Sequence, residues 1–138
     1  MHIIEQLVVR LRADSDVTAI VGNRIYADHP TQDTSKPAIE IYNISDDQEQ
    51  TVDMCTITAG MMVVQVNCIG TTRSQAYDIS RAVRRGILHF TSNDSEQSIQ
   101  DVNVASGSRW DRLRPQDGSD SYGYECQDDY NIPYTFTL

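Results

Sequence analysis

The hydrophobic period changes at Gly70. Before it, Met62, Val64, Val66 and Cys68 alternate with Val63, Gln65 and Asn67, the period of two that a half-buried strand requires. After it, Ala76, Ile79, Val83, Ile87 and Phe90 recur at three- and four-residue steps, the stripe of an amphipathic helix. Thr72 with Gln75 supplies a capping box at its start. A chain that passes from strand to helix at one glycine must lay that helix back over a sheet, because each element has one apolar side to bury.

The flanking segments repeat the theme. Ile3, Ile4, Leu7, Val8 and Leu11 form one face of an N-terminal helix, and Asp14-Ser15-Asp16 caps a short turn through Val17, Ile20 and Val21 that Gly22-Asn23 ends in a left-handed conformation. Ile25-Tyr26 begins a short strand. Lys36-Pro37 favours extended backbone, so a longer strand runs from Ala38 to Ile44 and pairs as a hairpin with Thr56 to Ile69. The connection, carrying Asp46, Asp47, Glu49 and Asp53, reads as an exposed acidic loop. Ile99, Val102 and Val104 suggest a further strand, and Ser106-Gly107-Ser108 and Gln116 to Ser119 mark turns in a long connection. The closing strand alternates Ile132, Tyr134, Phe136 and Leu138 with polar residues, and Pro133 predicts an edge position or a bulge. The expected fold is α+β, one domain over 1–138, with a mainly antiparallel sheet, two principal helices packed on one face and long acidic loops.

Composition narrows the function. Eleven basic residues against 20 acidic ones give a net charge of −9, which argues against wrapping a phosphate backbone with clustered cations. Cys55, Cys68 and Cys126 are an odd number and read as free thiols in a reducing compartment. No apolar run approaches the ~20 residues that span a bilayer, so no membrane partner and no export leader are expected.

Familiar chemistry is not spelled out. His2, His29 and His89 lack metal-ligand spacing, and the cysteines form no CxxC pair, so neither a metal nor a cofactor is expected. Cys68 on the apolar side of its strand reads as a small buried thiol. Asp46-Asp47 and Asp128-Asp129 are neighbours on extended chain whose side chains point to opposite faces, so they read as solvated charge rather than a catalytic pair. Asp117-Gly118-Ser119-Asp120 lacks the alternating oxygens of a calcium loop. No catalytic residues are expected and the chain does not read as an enzyme.

An electrostatic pattern remains. Arg73, Arg81, Arg84 and Arg85 lie on the side of the second principal helix opposite its apolar stripe, in a chain whose only lysine is Lys36. Carboxylates collect in two stretches, Asp46 to Asp53 and Asp111 to Asp129, including Asp117, Asp120, Asp128 and Asp129. One reading is a solvated helix face. The other is a subunit interface in which the arginines of one copy meet the acidic loops of the next, head to tail, with carboxylates lining a lumen or partner surface. On that reading Arg81→Glu with Arg84→Glu blocks assembly without unfolding the monomer.

Leu11-Arg12-Ala13-Asp14-Ser15-Asp16-Val17, continuing to Val21-Gly22-Asn23-Arg24-Ile25-Tyr26, then Lys36-Pro37-Ala38-Ile39 and Ile44-Ser45, resembles the opening of the tail-completion proteins of long-tailed bacteriophages. The resemblance continues through Val64 to Cys68 and the helix ending Val83-Arg84-Arg85-Gly86-Ile87-Leu88, covering most of the first ninety residues. It implies a structural virion protein that forms a ring, a hexamer, at the head-proximal end of the tail tube, ending tube growth and joining the tail to the head connector. Implied partners are further copies of the chain, the tube protein and a connector or neck protein, with DNA passing through unbound. The implied location is the tail-neck region of the virion, and the host cytoplasm during assembly. Two alternatives stay open: a neck adaptor of the head–tail connector, and an acidic DNA mimic that inhibits a basic nucleic-acid-binding protein.

Overall fold

The protein is described from a computed structural model over residues 1–27, 37–49, 57–113 and 123–137. Two helices open the chain, α1 (Ile3–Arg12) and α2 (Ser15–Val21), followed by β1 (Ile25–Ala27), β2 (Ala38–Gln48), β3 (Ile57–Gly70), α3 (Arg73–Ile87), β4 (Gln97–Ile99), β5 (Asn103–Leu113) and β6 (Gly123–Thr137). The expected α+β class is observed, with α1 and α3 as the principal helices and α2 as a short third.

The turns follow from named residues. Asp14 accepts a hydrogen bond from the Asp16 amide and starts α2, and Gly22 ends it at φ 60, a conformation a side chain would strain. Thr72 Oγ1 accepts from the Gln75 amide at 3.1 Å, one half of the expected capping box. The other half is displaced by one residue, since Gln75 Oε1 takes the Thr71 amide at 2.9 Å. Phe90 lies beyond the end of α3 and packs against the core with Arg10 over its ring.

The sheet order is β1-β2-β3-β6, with β4 and β5 both pairing the far side of β6. All pairs are antiparallel except β1 with β2, which run parallel from Ile25↔Ile39 to Ala27↔Ile41. The β3–β6 ladder is continuous from Ile57↔Thr137 to Gly70↔Tyr124. Along one face of it Val64, Val66, Cys68, Cys126, Tyr130 and Ile132 are fully buried beneath Leu7 and Leu11 of α1 and Ile79, Val83 and Ile87 of α3. Each valine, leucine or isoleucine among them contributes ~1.5–3 kcal/mol of burial.

Three expectations change. The Ala38 strand continues to Gln48, so Asp46 and Asp47 are strand residues rather than loop residues. Pairing is what extends it: the Tyr134 hydroxyl donates to Asp46 Oδ1 at 2.5 Å and its oxygen accepts from Gln48 Nε2 at 3.1 Å, so two exposed polar side chains continue the strand where apolar residues would be expected. Ser106-Gly107-Ser108 is not a turn but lies inside β5, where the register with β6 shifts between Val104 and Ser106 and again before Arg109. Pro133 stands in an interior strand. Its carbonyl accepts from the Gln100 amide, so its missing N–H falls where β4 gives way to β5 and no ladder bond is lost. The Gln116 to Ser119 turn lies outside the described residues.

Gly60 is held by contact. A Cβ there would stand 2.6 Å from the Tyr134 ring, and that ring cannot yield without breaking its bonds to Asp46 and Gln48. Gly60→Ala is expected to destabilise the protein by ~1–3 kcal/mol in urea unfolding. Gly107, whose Cβ would meet nothing within 4 Å, is the control, and Gly107→Ala should stay within about 0.5 kcal/mol. Equal effects at the two positions would contradict this packing.

Candidate functional site

The arginines of α3 do not form one surface. Arg84 turns inward beside Asp128, a β6 carboxylate only 1% exposed, with its Nη2 donating to Oδ1 at 3.3 Å. Two hydroxyls and a thiol complete the shell of Asp128: Ser80 of α3 donates to Oδ2 and Ser108 of β5 to Oδ1, each at 2.5 Å, and Cys126 Sγ donates to Oδ2 at 4.0 Å. One carboxylate thereby ties α3, β5 and β6 together. The Tyr130 hydroxyl lies beside this cluster, and neither it nor Arg84 Nε makes an aligned hydrogen bond. Burial pushes the Tyr130 hydroxyl well above its ordinary range, a shift the neighbouring Arg84 guanidinium only partly offsets.

Asp129 points to the opposite face, as residue alternation requires, and takes a two-pronged bond from Arg109 at 3.0 and 3.1 Å. Asp128 and Asp129 are therefore strand residues with internal partners, not the solvated loop pair expected from sequence. Asp46 is exposed but bonded to Tyr134, whereas Asp47 and Glu49 are exposed at the far end of β2. Asp53, Asp117 and Asp120 lie outside the described residues.

The remaining arginines face outward. Arg73, Tyr77 and Arg81 fall at four-residue intervals and so share one row of α3. Trp110 of β5 stacks on Tyr77 with ring centroids 6.2 Å apart; Arg73 lies over the Trp110 ring at 5.1 Å and Arg81 over the Tyr77 ring at 5.7 Å. Arg81 and Arg85 also line an open groove between α2 and α3 with Asp16, Ile20, Asp78 and Ala82. The aromatic members are not part of the charge pattern expected from sequence. The four-residue spacing of Tyr77 from both arginines was a usable signal, but Trp110 joins only through the fold.

Cys68 and Cys126 face each other across the β3–β6 ladder as free, buried thiols, and burial raises both thiols above their ordinary range. Cys55 and His29 lie outside the described residues. Among the described residues no group of three His, Cys, Asp or Glu side chains could hold a metal ion. No helix of the described residues is long and apolar enough to cross a membrane.

Comparison with known proteins gives two findings. The family model described as tail completion protein gp17 matches residues 5–118. Among solved structures, the fold is similar to a chain from the virion of a native gene transfer agent particle, with a TM-score of 0.66 at 14% identity, covering 96% of this chain and 94% of that one. A further solved chain, 10% identical over 98% of this chain and 94% of that one, gives a TM-score of 0.43. Comparison with curated proteins finds no match.

The split of the arginines replaces the expectation for Arg81→Glu with Arg84→Glu. Arg84→Glu sets a second carboxylate against buried Asp128, and losing one partner of a buried pair costs ~3–5 kcal/mol; partial exposure of Arg84 puts the expected loss near the lower end. Arg81→Glu with Arg85→Glu should cost no more than about 1 kcal/mol. Chemical unfolding of both variants checks this, and a stable Arg84→Glu protein would contradict the Asp128 cluster. Raised thiols and a raised Tyr130 keep their protons in the folded state after the unfolded chain has lost them. Stability is therefore expected to fall as pH rises above the ordinary thiol range near pH 8.5, most steeply above pH 10. Thermal unfolding midpoints that stay level from pH 8 to 11 would contradict it.

Proposed function

Because the chain belongs to the tail completion protein gp17 family, whose members are phage tail structural proteins, we propose that it forms a ring at the head-proximal end of the tail tube. There it ends tube growth and joins the tail to the head connector, with DNA passing through the ring without specific contacts. The ring is sixfold, as the family resemblance implies. The family match over residues 5–118 carries this reading, and the fold shared with a chain from a gene transfer agent virion agrees with it. The chain works in the virion, at the junction of tail and neck, after assembly in the host cytoplasm.

The charges suit this role better than that of a DNA mimic. A mimic needs carboxylates spaced like phosphates along one surface. Here Asp128 is buried, Asp129 is held by Arg109 and Asp46 is bonded to Tyr134. The neck-adaptor alternative differs in which particle the ring contacts first.

Addition of the purified protein to growing tail tubes, followed by electron microscopy, decides between them. A ring at one end of each tube and tubes of fixed length are expected. Tubes that lengthen regardless, with the protein found only on connectors, would replace the terminator with a neck adaptor.

A further inference from the structure

The aromatic and arginine row of α3 and β5 and the exposed carboxylates Asp47 and Glu49 at the end of β2 occupy diagonally opposite corners of the sheet. β2 and β5 are separated by β3 and β6, about 14 Å across the ladder at ordinary strand spacing. Along the strands, Asp47 is level with Pro133 through Met61, whereas Trp110 is level with Cys126, seven residues or about 23 Å further along β6. The two corners cannot meet within one chain.

Each corner pairs charge with exposed apolar surface. On α3 and β5, Tyr77 is 47% and Trp110 36% exposed, and both carry a guanidinium stacked on the ring. Tryptophan, tyrosine and arginine together are the residue types that dominate binding energy at protein interfaces. At the other corner Asp47 and Glu49 are exposed, Asp47 pairs with Met61, 42% exposed, and Ile44, 54% exposed, sits three residues before Asp47 at the register shift of β2. Stacking holds Arg73 and Arg81 in place before any partner arrives, which reduces the ordering cost of meeting a carboxylate. The net charge of −9 disfavours a polyanion as the occupant and leaves a discrete acidic protein segment as the better fit.

We propose that Arg73, Trp110, Tyr77 and Arg81 form the docking site for the paired end of β2 and β3, residues 44–49 with Met61 (here the arm), of a second copy of this chain, with Asp47 and Glu49 meeting the arginines and Ile44 and Met61 meeting the rings. This rests on the ring reading and specifies its contact. Because donor and acceptor are different surfaces, the contact is head to tail and propagates until it closes.

Complementation tests it. A patch variant, Trp110→Ala with Arg81→Glu, keeps an intact arm; an arm variant, Asp47→Lys with Glu49→Lys, keeps an intact patch. By sedimentation velocity the unmodified protein is expected to associate and each variant alone to be a monomer, with affinity weakened at least about tenfold and an unchanged circular dichroism spectrum. An equimolar mixture should give a one-to-one dimer and nothing larger, since only one intact contact can form. Should Trp110→Ala loosen β5, Arg73→Glu with Arg81→Glu replaces it and leaves the rings in place. Variants that retain the parental mass would overturn the docking site while leaving the ring itself standing. If the unmodified protein associates only on tube ends, capping is read in place of mass, and unimpaired capping by either variant overturns the site. An unmodified protein that neither associates nor caps tubes overturns the ring reading as well.

Discussion

A single buried carboxylate ties one helix and two strands of this fold together. Asp128 sits in the middle of β6, the strand that pairs β3 on one side and β4 and β5 on the other, and its oxygens are shared by Ser80, Ser108 and Arg84. A charge so buried is tolerated only with such partners, so α3 and β5 must lie where those side chains reach it. Trp110 is carried by the same strand as Ser108 and Tyr77 by the same helix as Ser80, and the exposed stack between the two rings follows from that arrangement. The internal network thus builds the outer surface.

That dependence explains what could be read in advance. Periodicity located α1, α2, β3 and α3, because apolar side chains there decide which way each element faces. It stopped short in β2, where Asp46 and Gln48 continue the strand by bonding Tyr134, and a pattern of hydrophobic residues carries no record of a hydroxyl 86 or 88 positions away. Ser106 to Ser108 has the composition of a turn, yet β6 pairs on both sides of it, so tertiary pairing overrides local preference. Arg84 illustrates the same limit at the candidate site. It follows Ser80 by four residues, on the edge of the apolar stripe, and only the arrival of Asp128 turns it inward while Arg73, Arg81 and Arg85 stay outside.

The sheet also limits how a neighbour can attach. β5 stands at one end of the sheet, but its register with β6 shifts twice, and such irregular strands resist the addition of another strand. The aromatic and arginine row beside it offers side-chain docking instead. In the proposed contact, stacked side chains at one corner and the exposed carboxylates of β2 at the other would serve as different surfaces, the requirement for a closed ring rather than a symmetric dimer.

Electron cryomicroscopy of tail tubes incubated with the protein tests the proposed ring and its contact most directly. The proposed contact puts Trp110 and Tyr77 of each copy against Asp47 of the next, with Asp128 inside every subunit and away from the contact. A ring in which Trp110 faces solvent, or in which Asp128 has left its serines to bridge subunits, would contradict it.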